Sequence, residues 1–275
     1  MKDAFPEFQL ERAGDGGMKS AFRILDGGQR VLKLVREPLP EVDEGGAISL
    51  PERIRREVEG MEQFSHRGVV KVLDGPDVRE VDGRLRVWYI EPLYDKILRD
   101  TIGVPWSESR CLDLMQDLAE AAEVLQVGGV VHRDIKPSNI ALDDEDRPVL
   151  LDLGIALFHD LTPLTDDWGQ SPKTPQYAAP EQFALRRDVS IDFRTDMYQI
   201  GIVVFEALTG KHPFAPEDPA RYLDRIFSGR WDEVAIDGLG ISDCMIGLLR
   251  RLLDPAVGRR YRRFAFLFEA IEECR

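Results

Sequence analysis

At about Glu91 the pattern of this chain changes, and the change restricts the folds open to it. From Phe8 to about Glu91 there are short β-type runs, Ala21 to Leu25, Val31 to Val35, Val69 to Leu73 and Leu85 to Ile90, broken by Gly-containing turns. One helix interrupts them: Pro51 suits a first turn, and Ile54, Val58 and Met61 recur at helical spacing through Phe64. Glu37 to Leu50, rich in Pro, Gly and acid, reads as a surface loop. Beyond Glu91 helical periodicity takes over. Ser107 is the expected N-cap of a stripe formed by Leu112, Met115, Leu118, Ala122 and Leu125, which Gly128-Gly129 stops. A second helix, roughly Asp196 to Leu208, is apolar on most sides and ends at Gly210, so burial at the centre of a larger lobe is expected. The fold class predicted is α+β with two lobes. A small antiparallel β-rich lobe with one main helix covers about 8–91, a hinge about 91–94, and a larger, mostly helical lobe about 95–275.

Composition narrows the function. With 43% hydrophobic and 31% charged residues, the 275-residue chain has the make-up of a soluble globular protein. Its net charge of −14 disfavours nonspecific binding to nucleic acid or anionic lipid. The best apolar run, Ile200 to Leu208, is short and contains Glu206, so no membrane span is expected. Cys111, Cys244 and Cys274 are odd in number and far apart, which argues for neither a disulfide framework nor a zinc site. A reducing cytoplasm is the simplest setting. The acidic run Asp143 to Asp146 reads as a solvated turn between two strands.

The chemistry is concentrated in His132-Arg133-Asp134-Ile135-Lys136-Pro137-Ser138-Asn139, where a potential base, a cation and a metal-ligating amide stand within one short run. Farther on, Asp152-Leu153-Gly154 follows the apolar run Val149-Leu150-Leu151. Upstream, Gly14-x-Gly16 between β-type runs predicts a hairpin that lets backbone N–H groups approach phosphates. Lys33 lies in an otherwise apolar strand and calls for an acidic partner. Together these read as phosphoryl transfer from ATP.

In order and spacing the motifs resemble the eukaryotic-type (Hanks-type) serine/threonine protein kinase family, from about Phe8 to the C-terminus. The resemblance implies Asp134 as catalytic base, Lys136 on the transferring phosphoryl group, and Asn139 and Asp152 as Mg²⁺ ligands. It further implies that Lys33 grips the α- and β-phosphates and pairs with Glu57. Gly14 and Gly16 would cover the phosphates, while the Glu91 carbonyl and Leu93 N–H would meet adenine, with Ile90 guarding the back of that pocket. The glycine-rich pattern departs from the family where Lys19 and Ala21 stand, and Lys19 is expected to face solvent. His132 should brace the loop. Asp196 should anchor the loop backbone, and Glu181 should pair with Arg259 or Arg260. The segment ending Thr174-Pro175-Gln176-Tyr177-Ala178-Ala179-Pro180-Glu181 resembles an activation segment. Within it Thr162, Thr165 and Ser171 are candidate phosphate acceptors that would meet Arg133, and Thr174 belongs to the substrate-binding end. The implied partners are Mg·ATP and proteins offering Ser or Thr hydroxyls, with self-association for autophosphorylation. A pseudokinase that binds nucleotide and a small-molecule phosphotransferase remain the alternatives. Both termini fall near the expected domain edges, which suggests a bare catalytic domain.

Overall fold

The computed structural model describes residues 1, 3–15, 19–36, 64–152, 157–158, 175–183, 191–214 and 221–275. They fall into two compact units, residues 1–65 with 69–95, and residues 66–68 with 96–275.

The first unit is built on a five-stranded antiparallel sheet in the order β1-β2-β3-β5-β4. Its strands are β1 (Leu10–Asp15), β2 (Lys19–Ile24), β3 (Arg30–Val35), β4 (Asp74–Val81) and β5 (Arg84–Pro92). Strand periodicity assigns the two faces. Leu32 lies opposite Ile90 and Leu34 opposite Trp88, and these four form a core with Phe5, Ile24 and Val81. Phe5 meets Trp88 edge to face at 5.5 Å. The other face carries Lys33 opposite Tyr89 and Val31 opposite Glu91.

Two expectations about this unit need correction. The strand expected at Val69 to Leu73 forms later, over Asp74–Val81, where the polar run Asp-Gly-Pro-Asp-Val-Arg-Glu-Val pairs with β5 as an edge strand. A register shift between Asp74 and Asp77 accommodates Pro76, which has no N–H for the ladder. Val69 and Val70 are buried outside the strand. Lys19, expected in solvent, is 7% exposed, with its ammonium 5.4 Å from the centre of the Tyr89 ring. The helix expected at 51–64 falls, except for its last residue, outside the described residues.

The second unit is mainly helical. Helix α1 (Glu108–Val127) starts where Ser107 Oγ accepts the Arg110 N–H and buries all five residues of the expected stripe. Helix α2 (Phe193–Thr209) begins three residues before the expected Asp196, because Asp192 caps it, and it stops at Gly210 with φ 69°. Almost all of α2 is buried. At Gly201 an added Cβ would come 2.9 Å from the Leu252 Cβ, so only glycine admits helix α4 (Asp243–Leu252) that closely. Helices α3 (Tyr222–Ser228) and α5 (Phe264–Glu273) complete the described helices. Short strands supply the loops that matter for chemistry: β6 (Lys96–Ile97), β8 (Ile140–Leu142) and β9 (Pro148–Leu150) form one sheet, and β7 (Val130–Val131) pairs with β10 (Leu157–Phe158). The acidic run Asp143 to Asp146 is the β8–β9 turn, in which Asp143 accepts the N–H groups of Glu145 and Arg147.

The cysteine reading is overturned at one pair. Cys244 at the start of α4 is bonded to Cys274 just beyond α5, their Cα atoms 5.5 Å apart. Sequence separation hid this, since the two helix ends meet only after α4 and α5 pack. Cys111 stays a free, buried thiol.

Candidate active site

The segment between β7 and β8 is held from below by α2. Asp196, fully buried, accepts the N–H of His132 at 2.9 Å and of Arg133 at 2.8 Å. Burial pushes the Asp196 carboxyl up, against the opposing pull of His132, Arg133 and those two N–H groups. One turn along α2, Gln199 accepts the Ile135 N–H at 2.9 Å and donates to the Arg133 carbonyl at 3.0 Å. The same carbonyl takes a bond from Gln182 at 2.9 Å. Arg133 has φ 68°, a left-handed conformation costing an L-residue about 1–3 kcal/mol, and the three bonds made by its own N–H and carbonyl hold it there. Gln199 was missed in the sequence, although a lone amide three residues after Asp196 in an apolar helix is a legible signal.

His132 is fully buried and braces the loop through both ring nitrogens. The Asp134 N–H approaches Nδ1 at 3.3 Å, so Nδ1 is the acceptor and Nε2–H points to the Leu151 carbonyl at 3.1 Å. That bond ties the loop to the chain just before Asp152. The Leu151 N–H in turn donates to the Asn139 carbonyl at 2.8 Å.

Above this frame three of the expected reactive groups, Asp134, Lys136 and Asn139, converge. Lys136 Nζ lies 3.0 and 2.8 Å from the two Asp134 carboxylate oxygens. Asn139 Nδ2 donates to the Asp134 carbonyl at 3.0 Å and to its Oδ2 at 2.9 Å. Both partners accept only, so the Asn139 nitrogen must face Asp134 and its Oδ1 is turned elsewhere. Asp152, half-buried, has φ 59°. Asn139 and Asp152 thus supply an amide oxygen and a carboxylate, hard-oxygen ligands of the kind Mg²⁺ accepts alongside phosphate oxygens. No group of three or more His, Cys, Asp or Glu suited to a metal occurs among the described residues.

Glu181 selects Arg260 rather than Arg259. Arg260 Nη1 and Nη2 reach the two Glu181 oxygens at 2.7 and 2.9 Å, with both side chains essentially without solvent exposure. Thr195 adds a 2.7 Å bond to the same carboxylate, and Arg260 also donates to the carbonyls of Asp254 and Arg194. This bidentate pair fixes the 180–183 turn to α2. Next to it, Tyr177 donates to Glu206 at 2.7 Å and Tyr222 to the Gln176 carbonyl.

In the first unit, Lys33 lies 3.6 Å from Glu91 Oε2. Glu57, Gly16, Thr162, Thr165, Ser171 and Thr174 lie outside the described residues, as does Leu153, while Gly14 sits in β1 beside a register shift. Ile90 does not share the Lys33 face: it pairs with Leu32 in the Phe5 core. Strand parity puts Glu91 on that face instead. Leu93 N–H, expected to meet adenine, donates to the Gln29 carbonyl at 2.9 Å.

Comparison with known proteins agrees with this geometry. Residues 10–265 match the family described as "Protein kinase domain". The chain is 32% identical over 214 residues to a probable serine/threonine-protein kinase of Corynebacterium efficiens, covering 75% of this chain and 31% of that protein. It is 32% identical over 219 residues to the serine/threonine-protein kinase PknA of Mycobacterium tuberculosis, covering 76% and 48% respectively. Against the DNA damage-responsive serine/threonine-protein kinase RqkA of Deinococcus radiodurans the figures are 31% over 221 residues, 78% and 31%. The alignments thus span between about a third and a half of the length of these relatives. The chain belongs to the protein kinase domain family, among relatives that are bacterial serine/threonine kinases of the Hanks type.

Proposed function

We propose that this chain transfers the γ-phosphate of Mg·ATP to Ser or Thr hydroxyls of proteins. The observation that carries the reading is the Asp134 carboxylate, held by Lys136 and Asn139 on a loop that Asp196 and Gln199 fix. In this reading Asp134 accepts the proton of the attacking hydroxyl, and Lys136 is at hand for the negative charge of the phosphoryl group. Asn139 and Asp152 would hold Mg²⁺, which offsets phosphate charge when bound. The Arg260–Glu181 turn supports a protein substrate over a small molecule, since it builds the end of a segment on which a peptide would dock. ATP use supports a cytoplasmic location, and no helix among the described residues is long and apolar enough to cross a membrane.

The test is incubation of the purified protein with labelled ATP and Mg²⁺, alone and with generic Ser/Thr substrates, followed by phosphosite mapping. Asp134→Ala should lower transfer by about 10²–10⁴-fold with the fold retained. Labelling at the unsubstituted rate would remove Asp134 from the role of base. Self-association for autophosphorylation belongs to the same proposal, with phosphate on Thr162, Thr165 or Ser171 meeting Arg133. An active preparation with no phosphate between Asp152 and Glu181 in mass spectrometry would exclude that part alone.

A further inference from the structure

Two groups that the proposed reading assigns to nucleotide are engaged within the first unit. The Lys33 ammonium lies 3.6 Å from Glu91, a carboxylate whose side chain is only 3% exposed. The pairing Lys33 with Tyr89 and Val31 with Glu91 makes Lys33 and Glu91 diagonal neighbours on one face of the β3–β5 ladder. A buried carboxylate there needs a cation, so the contact follows from the strand register and is not an accident of a flexible surface side chain. The Leu93 N–H is bonded to the Gln29 carbonyl. Gln29 is itself fastened, its Nε2 donating to Asp95 Oδ2 at 2.7 Å, so the turn before β3 is tied to residues 93–95 at two points.

We propose that Glu91 and Gln29 set the nucleotide affinity of this chain by competing with the ligand, Glu91 with the phosphates for Lys33 and Gln29 with the adenine edge for the Leu93 N–H. The inference rests on the ATP reading above. Nucleotide must take Lys33 from Glu91, leaving that buried carboxylate without this partner, and must open the Gln29–Leu93 bond. Each exchange subtracts from the affinity the site would otherwise have. The two residues act on different parts of the ligand, which makes them separable.

Equilibrium binding of ATP, ADP and adenosine to the full chain, with Mg²⁺ present, distinguishes them. Glu91→Gln keeps the shape and removes the charge. It should tighten ATP and ADP about tenfold and leave adenosine within about twofold of the unsubstituted protein. Gln29→Ala changes an exposed residue and keeps the competing backbone carbonyl, but it removes the Asp95 anchor that holds that carbonyl on the Leu93 N–H; it should tighten all three ligands by a similar factor, about two- to fivefold. Unchanged or weaker ATP binding by both variants, with phosphoryl transfer intact in the unsubstituted protein, overturns this competition and leaves the kinase reading in place. Equal effects of Glu91→Gln on adenosine and ATP overturn it as well, since a general structural change would act that way. Binding of none of the three ligands by any variant overturns the ATP reading and the competition with it.

Discussion

Arg260 and Glu181 are a buried pair in which every charged atom has a partner, and the cost of such a pair appears when one member is removed. Arg260→Ala would leave the Glu181 carboxylate buried with only Thr195 Oγ1 as a donor of those three, and should destabilise the second unit by about 3–5 kcal/mol. Arg259 is exposed, so Arg259→Ala should change stability by less than about 0.5 kcal/mol. Denaturant unfolding of the two variants in parallel checks the contrast, and equal losses would contradict the assignment. The sequence left these adjacent arginines open because their choice depends on the chain direction through the turn at 257–259. By contrast, Asp134, Lys136 and Asn139 were legible because their spacing is local, and a loop of eight residues brings such groups together wherever it sits. The role of the Glu91 side chain was not legible, for a related reason. The resemblance spoke only of its carbonyl, whereas the face its side chain takes is fixed by the β3–β5 register, which no local pattern displays.

At the scale of elements, the helices α1 and α2 were readable from apolar spacing and caps, since Ser107 and Gly210 act within one turn of themselves. Strand β4 was not, because a polar edge strand is held by its ladder to β5 and not by its own side chains. The junction between the 175–177 turn and the end of α2 also escaped notice. There His212 packs edge-on to Tyr177 at 5.2 Å, and its Nδ1 accepts the Phe214 N–H at 3.2 Å. Burial pushes the imidazole down to about 4 from an ordinary 6.5, with the nearby Gln176 backbone opposing the shift. Above pH 6.5 both folded and unfolded chains hold it neutral and it adds no pH dependence. As the pH falls from 6.5 towards 4 the unfolded chain binds the proton first, so stability is lost across that window, by about 3 kcal/mol at most. Unfolding midpoints between pH 7 and 4.5 should therefore fall less steeply in His212→Gln, whose side-chain oxygen still accepts from Phe214. An unchanged slope would mean that His212 titrates normally.

For the whole molecule, the covalent link between Cys244 and Cys274 joins the start of α4 to the end of α5 and closes a loop with a sequence separation of 30. Closing a loop of that length restricts the unfolded chain, a contribution of about 3–4 kcal/mol in the chain-entropy account. The link is open to reagents, as Cys244 is exposed and Cys274 half-buried. In the cytoplasmic setting proposed above an accessible bond of this kind would stand reduced, so the oxidised form belongs to an oxidising medium. Cys111 serves as an internal control. It is buried within α1 and its thiol is pushed up to about 12 by burial, so it offers almost no thiolate to a labelling reagent in the folded protein. The native oxidised protein should therefore show essentially no reactive thiol, and mild reduction should release two. Reduction should also lower the thermal midpoint of the unsubstituted chain, while Cys244→Ser should already have the lower midpoint and should not respond to reductant. A midpoint that reductant leaves unmoved, with both thiols shown to be released, would mean that the packing of α4 on α5 holds these ends together without the bond. If instead Cys244→Ser still responded, the responding thiol chemistry would lie elsewhere, and Cys111 would have to be less protected than its burial implies.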